Sequence, residues 1–179
     1  MENQGGITMS TSRRVSRFAA SSLQAVTLAT VLALTAPSPA LASEQHHTVV
    51  SADKVVWNPG PPTLPSGAQI AVLHGSPAKE GPFVIRLKFP ADFQIAPHRH
   101  SKEEHVTVIS GRFGMATGEQ LDRQAAPLLQ PGSFVRIPQG AAHFAWTDQE
   151  TVVQINGVGP FDVIYVNPDD DPRKRKAAR

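Results

Sequence analysis

The chain has 179 residues, a formal net charge of +2, an apolar share of 40% and no cysteine. That length suits one globular domain, and the lack of thiols excludes both a disulfide framework and thiolate ligation, leaving nitrogen and oxygen donors for any bound ion. The positive charge is no argument for nucleic acid: the first 42 residues hold three arginines against one glutamate, so the remainder carries a formal charge of zero.

The opening segment reads as an address. Arg13, Arg14 and Arg17 form a basic head, residues 18–35 are apolar but diluted by Ser, Gln and Thr, and Ala40-Leu41-Ala42 makes a small-x-small cleavage pattern before Ser43. Residues 1–42 are therefore expected to be a signal peptide, which predicts a secreted or periplasmic protein with no membrane span after cleavage. The Arg13-Arg14 pair also fits a twin-arginine signal, although residues 15–18 continue it poorly, so both export routes stay open. His46 and His47 beside the cleavage point are expected to be flexible.

From residue 43 the pattern is all-β: short apolar runs, no segment of helical period, and Gly/Pro clusters between the runs. Residues 48–50 and 54–57 read as early edge strands, followed by a Pro/Gly loop over 58–67. Residues 69–74 and 82–89 read as strands on either side of a 75–81 loop. In the second of these, Phe83, Ile85, Leu87 and Phe89 share one face, and Arg86 and Lys88 the other. Two places suit these cations. One is solvent, because an unpaired buried charge is costly; the other is a pocket mouth, lining it to hold a substrate carboxylate or phosphate.

Residues 97–111, PHRHSKEEHVTVISG, carry the chemistry. His98 and His100 are two apart, so on a strand both imidazoles face the same way and reach one ion. After a polar break at Ser101 and Lys102, Glu104 opens the alternating run 104–109, which Gly111 ends. The two strands are expected to pair, delivering two imidazoles and a carboxylate to one site. Val106 and Val108 share the parity of Glu104 and are expected to line the pocket. Glu103 and His105 face away, Glu103 into solvent and His105 onto an outer surface open to a homodimer partner.

Residues 112–116 read as another strand and 117–129 as a variable connection. Residues 132–147, GSFVRIPQGAAHFAWT, place a strand over 133–137, a turn at Pro138-Gln139-Gly140 and an alternating segment opened by His143. His143 is the natural fourth ligand. Ala145, predicted to line the pocket, and Thr147 share its face; of Phe144 and Trp146, one is expected to pack between sheets or at a dimer interface. Residues 151–158 and 161–166 read as a closing hairpin turned at Gly159-Pro160. The tail, 167–179, runs from acidic to basic with no apolar face and is expected to be disordered.

These stretches resemble the two motifs of the cupins. The first motif, HxH, three residues, Glu, six residues, Gly, is matched at His98, His100, Glu104 and Gly111. The second, Gly, five residues, PxG, two residues, His, is matched at Gly132, Pro138, Gly140 and His143. Two positions depart from the family pattern: Asp92 stands where Gly is frequent and Thr147 where Asn is frequent. The chain is similar to the small secreted single-domain cupins. The resemblance implies a double-stranded β-helix, a jelly-roll barrel, over residues 43–166.

Three neutral imidazoles and a carboxylate suit one divalent transition metal: iron, manganese, nickel, copper or zinc. Four protein ligands in an octahedral shell leave positions for water, dioxygen or a chelating substrate. Two function classes follow. One is an enzyme acting on a small organic molecule, a metal-dependent oxidoreductase of dioxygenase type or a metal-assisted lyase or isomerase, with Glu104 also available as a base. The other is a non-catalytic module that binds or senses a small molecule or a metal. No catalytic Ser-His-Asp set, P-loop or dinucleotide fingerprint competes.

Overall fold

The computed structural model describes residues 47–177; the expected signal peptide and His46 lie outside them. Among the described residues the strands are β1 (Asn58–Pro59), β2 (Gln69–His74), β3 (Gly81–Phe89), β4 (Gln94–Arg99), β5 (Glu104–Ser110), β6 (Phe113–Thr117), β7 (Phe134–Ile137), β8 (His143–Thr147), β9 (Thr151–Gly159) and β10 (Ile164–Tyr165). They form two antiparallel sheets, one in the order β1-β2-β3-β9-β5-β7 and one in the order β10-β4-β8-β6.

Period-two alternation explains how the sheets face each other. Along β3, Phe83, Ile85, Leu87 and Phe89 are buried while Val84, Arg86 and Lys88 are half-buried on the opposite face. The register carries that parity across the sheet, pairing Ile85 with Ile155 of β9, and Ile155 with Val106 of β5. The smaller sheet contributes Ile95, Phe113 and Ala145 to the same core. The result is a jelly-roll sandwich of two sheets over one apolar interior.

Gly111, which ends the run after β5, adopts φ +80° and packs against the backbone of Glu150 and Thr151, where an added Cβ would lie 2.4 Å from a carbonyl oxygen. Only glycine meets both demands.

Several expectations are corrected. Residues 48–50 form no strand, and Ala52–Lys54 is a 3-10 turn. Val49, Val50 and Val56 remain exposed there, so the segment has no buried face to hold it against a sheet. Pairing begins instead at β1, inside the expected Pro/Gly loop.

β4 and β5 are not neighbours, because residues 100–103 carry the chain from the smaller sheet to the larger one. The expected hairpin after β9 is also absent. Both edges of β9 are already taken, by β3 and β5, so the following segment crosses over and β10 pairs with β4. In the tail, a 3-10 turn at Pro168–Asp170 is capped by the Asn167 side chain, which accepts from Asp169 N, and a short helix α1 (Pro172–Ala177) follows. Local capping, not burial, shapes this segment.

Candidate metal centre

His98 lies on β4 directly opposite His143, which opens β8. His100 sits one residue past the end of β4. Glu104 opens β5 in the other sheet, between Ile137 of β7 and Gly157 of β9. All four residues are buried, none more than 4% exposed. The site therefore spans the interior between the sheets.

The three histidines each offer a nitrogen, and these atoms lie within 4.8 Å of one another. Glu104 Oε2 approaches His100 Nε2 to 3.2 Å and His143 Nε2 to 3.5 Å. The sequence-predicted ligand set is thus brought together from two sheets.

The other face of each ring is fixed by backbone. His98 Nδ1 donates to Ala96 O at 2.8 Å, His143 Nδ1 to Ala141 O at 3.0 Å, and His100 Nδ1 to Asp162 O. A carbonyl cannot donate, so each Nδ1 carries the proton, and in the neutral ring Nε2 is left with a lone pair. The Nε2 atoms of His100 and His143 are buried and have no hydrogen bond of acceptable geometry, the nearby carboxylate included. Buried polar atoms without a partner are rare and ask for one.

Electrostatics gives the charge states. Burial, reinforced by the two neighbouring imidazoles, pushes His98 down to about 3. For Glu104, burial favours the neutral acid, but contacts with His100 and His143 outweigh it and hold the carboxyl at about 2. Burial likewise works against the charged form of His100, and the Glu104 carboxylate overrides it and raises that imidazole. An ionised oxygen donor and imidazole nitrogens aimed inward fit one metal ion, and three buried histidines could hold it.

The four residues border a cavity of about 240 Å³ lined otherwise almost wholly by hydrocarbon. Val106 and Ala145 line it, as their parity predicts. Val108 does not. It is fully buried but stands two residues further along β5 than Val106, opposite Val153.

Arg86 and Lys88 do not line it either. The parity that turns Ile85, Leu87 and Phe89 inward sends both cations to the outer face. There Arg86 Nε donates to Gln154 Oε1 at 3.3 Å, and Lys88 Nζ lies 4.5 Å over the Trp57 ring. The pocket-mouth role considered for them is thereby corrected.

Glu103 faces outward with Arg136 and with His105, whose Nε2 is 2.8 Å away. Phe144 and Trp146 are both buried, with ring centroids 5.9 Å apart, on the face of β8 opposite His143. A larger groove of about 1070 Å³, bordered by residues 59–62, 64–68, 119–121 and Tyr165, contains none of the four ligands.

Sequence reasoning missed three neighbours of the site. Phe161 stacks on His100 with centroids 4.4 Å apart, Asp162 supplies its carbonyl to the same ring, and Tyr165 lies 6.0 Å from His98. All three follow Gly159-Pro160, and no spacing rule ties that segment to either motif.

A family model described as the ChrR cupin-like domain matches residues 45–162. No curated protein matches the chain by sequence. Among solved structures, the polyketide cyclase RemF from Streptomyces resistomycificus is similar at a TM-score of 0.60 and 18% identity, over 74% of this chain and 94% of that one. A putative acetylacetone dioxygenase from Methylibium petroleiphilum PM1 has a TM-score of 0.55 and 21% identity, over 77% and 98%. An acetylacetone dioxygenase from Acinetobacter johnsonii has a TM-score of 0.52 and 17% identity, over 74% and 90%. At these identities the likeness is one of fold. No helix among the described residues is long and apolar enough to cross a membrane.

Proposed function

The chain belongs to the ChrR cupin-like family of the cupin superfamily, and from that premise we propose that it is a metal-dependent oxidoreductase of dioxygenase type acting on a small oxygen-bearing organic molecule. The observation that carries the metal reading is the pair of buried Nε2 atoms on His100 and His143 that make no hydrogen bond, in rings whose Nδ1 protons are committed to carbonyls. His98, His100, His143 and Glu104 would hold one divalent first-row ion. When bound, that ion supplies Lewis acidity and, if redox-active, a centre at which dioxygen and a chelating substrate meet. Two of the similar folds are named as acetylacetone dioxygenases, one of them putatively, which supports this class without fixing a substrate.

The chain's own residues set the conditions. Glu104, with its carboxyl held at about 2, serves as an anionic donor. A general base would need a proton affinity near the working pH, so the role of base considered for it loses ground. The apolar lining, Val106 and Ala145 included, keeps bulk water from the reacting end of the substrate. Phe161, stacked on His100, fixes that ring's plane.

The test is reconstitution with iron, manganese, nickel, copper or zinc in separate preparations. Oxygen uptake and product mass are then followed against small molecules bearing two neighbouring oxygens. Oxygen consumption restricted to a redox-active metal supports the reading. Tight binding of such molecules with no oxygen uptake under any metal would make the protein a binding module instead.

The place of action is proposed from the sequence pattern of residues 1–42: export, followed by cleavage before Ser43. N-terminal sequencing of the protein from its host checks the cleavage point. Retention of precursor on replacing Arg13 and Arg14 by Lys separates the twin-arginine route from ordinary secretion.

A further inference from the structure

Among the described residues, no lysine or arginine side chain borders the 240 Å³ cavity, and Glu104 is its one carboxylate. The cations on the surrounding strands are engaged elsewhere: Arg86 with Gln154, Lys88 over Trp57, Arg99 with Glu119, Arg136 with Glu103. Beyond the four candidate ligands, the lining offers a single hydroxyl, on Thr63, and is otherwise aliphatic, aromatic or thioether.

A dipositive ion, three neutral imidazoles and one carboxylate sum to a formal charge of +1. The metal end can therefore neutralise one negative charge on a bound molecule. Nothing along the remaining wall can compensate another, of either sign, and an unpaired charge in such surroundings is strongly disfavoured. The volume falls below the roughly 300–1,000 Å³ of pockets for drug-sized ligands, so the guest is small.

We propose that the cavity selects molecules with their oxygen donors at one end and an uncharged, apolar body, and rejects those carrying a second charge on that body. This selection rests on the metal reading above and deepens it. It predicts that diacids, amino acids and phosphate esters are not substrates.

The experiment uses purified zinc-loaded protein, because zinc is redox-silent and removes oxygen chemistry from the measurement. Two probes share a chelating head, benzohydroxamate and 4-carboxybenzohydroxamate. Their dissociation constants are measured by calorimetry, with zinc retention checked afterwards. The uncharged body is expected to bind at least about a hundredfold tighter. Val163→Arg, which places a cation at a half-buried lining position, is expected to narrow that gap. Affinities within about tenfold of each other in the unmodified protein would overturn the proposal. Failure here leaves the oxygen-uptake result untouched, and failure of oxygen uptake leaves this selectivity standing, so the two are told apart.

Discussion

Glu104 Oε2 lies 3.2 Å from His100 Nε2, although Glu104 opens a strand of the larger sheet and His100 follows a strand of the smaller one. Residues 100–103 carry the chain from one sheet to the other, with Ser101 and Lys102 exposed, and a buried carboxylate meets a buried imidazole at the two ends of that link. The two side chains meet where the cavity forms. Their contact also puts Glu104, the one buried carboxylate among the described residues, where a cation would join it to three nitrogen donors.

Each ligand should therefore matter to metal content in a graded way. His98→Ala, His100→Ala and His143→Ala are each expected to lower metal affinity by more than the roughly 10–100-fold typical of losing a supporting group around a metal site. Glu104→Gln should weaken binding, whereas Glu103→Gln should not, because Glu103 faces solvent beside Arg136. Elemental analysis after dialysis against a weak chelator reads the series. Equal losses from Glu103→Gln and Glu104→Gln would contradict the register of β5.

Acid should release the metal through His100. A proton and an ion compete for its Nε2, so affinity is full above the imidazole's titration and falls about tenfold per pH unit below it. Glu104 raises this imidazole above its usual 6.5, so the fall begins at a higher pH than an isolated histidine would give. His98, held at about 3, contributes no competition in that range. Metal affinity followed from pH 5 to 9 tests this, and a constant affinity down to pH 5 would contradict it.

Gly157 keeps His100 in place from a distance. An added Cβ there would lie 2.8 Å from the Phe83 ring. Phe83 meets Phe161 edge-on at 5.3 Å, and Phe161 stacks on His100. Gly157→Ala should cost about 1–3 kcal/mol by overpacking and should weaken metal binding as well. Adding Phe83→Leu to that variant should restore much of the stability. Denaturant unfolding measures both, and a Gly157→Ala variant as stable as the parent would refute the chain of contacts.

Both departures from the cupin pattern meet at one turn. Asp92 adopts φ +56°, the left-handed region that glycine enters freely. Thr147 pins the backbone around it, its hydroxyl donating to Pro90 O at 2.7 Å and accepting from Phe93 N at 3.2 Å. Asp92→Gly should stabilise the fold by about 1 kcal/mol, and Thr147→Val should destabilise it by about 1–3 kcal/mol through two unmet backbone groups. Thermal unfolding of the two variants checks the opposite signs.

What could be read in advance was whatever parity and short spacing encode. The two-residue step from His98 to His100, the parity that separates Glu104 from Glu103, and the outward side of β3 each depend on one strand alone. Sheet membership does not. Nothing local in residues 97–111 says that β4 and β5 part company, because that depends on β8 and β9, whose His143 and Val153 pair with His98 and Val108 from about 45 residues away. The same limit hid the fate of residues 161–166, which had no free edge of β9 to pair with. It also hid Phe161 and Asp162, whose contact with His100 is purely tertiary. Arg86 and Lys88 show the reverse case: parity alone sent them outside, and reserving one for the pocket required overriding it.

The most direct measurement is diffraction from a metal-loaded crystal at the absorption edge of the bound ion. The account predicts one anomalous peak inside the sandwich, about 2.0–2.2 Å from Nε2 of His98, His100 and His143 and from Glu104 Oε2. A peak elsewhere, such as at the exposed His74, or no peak between the two sheets in crystals soaked with each candidate ion, would contradict it.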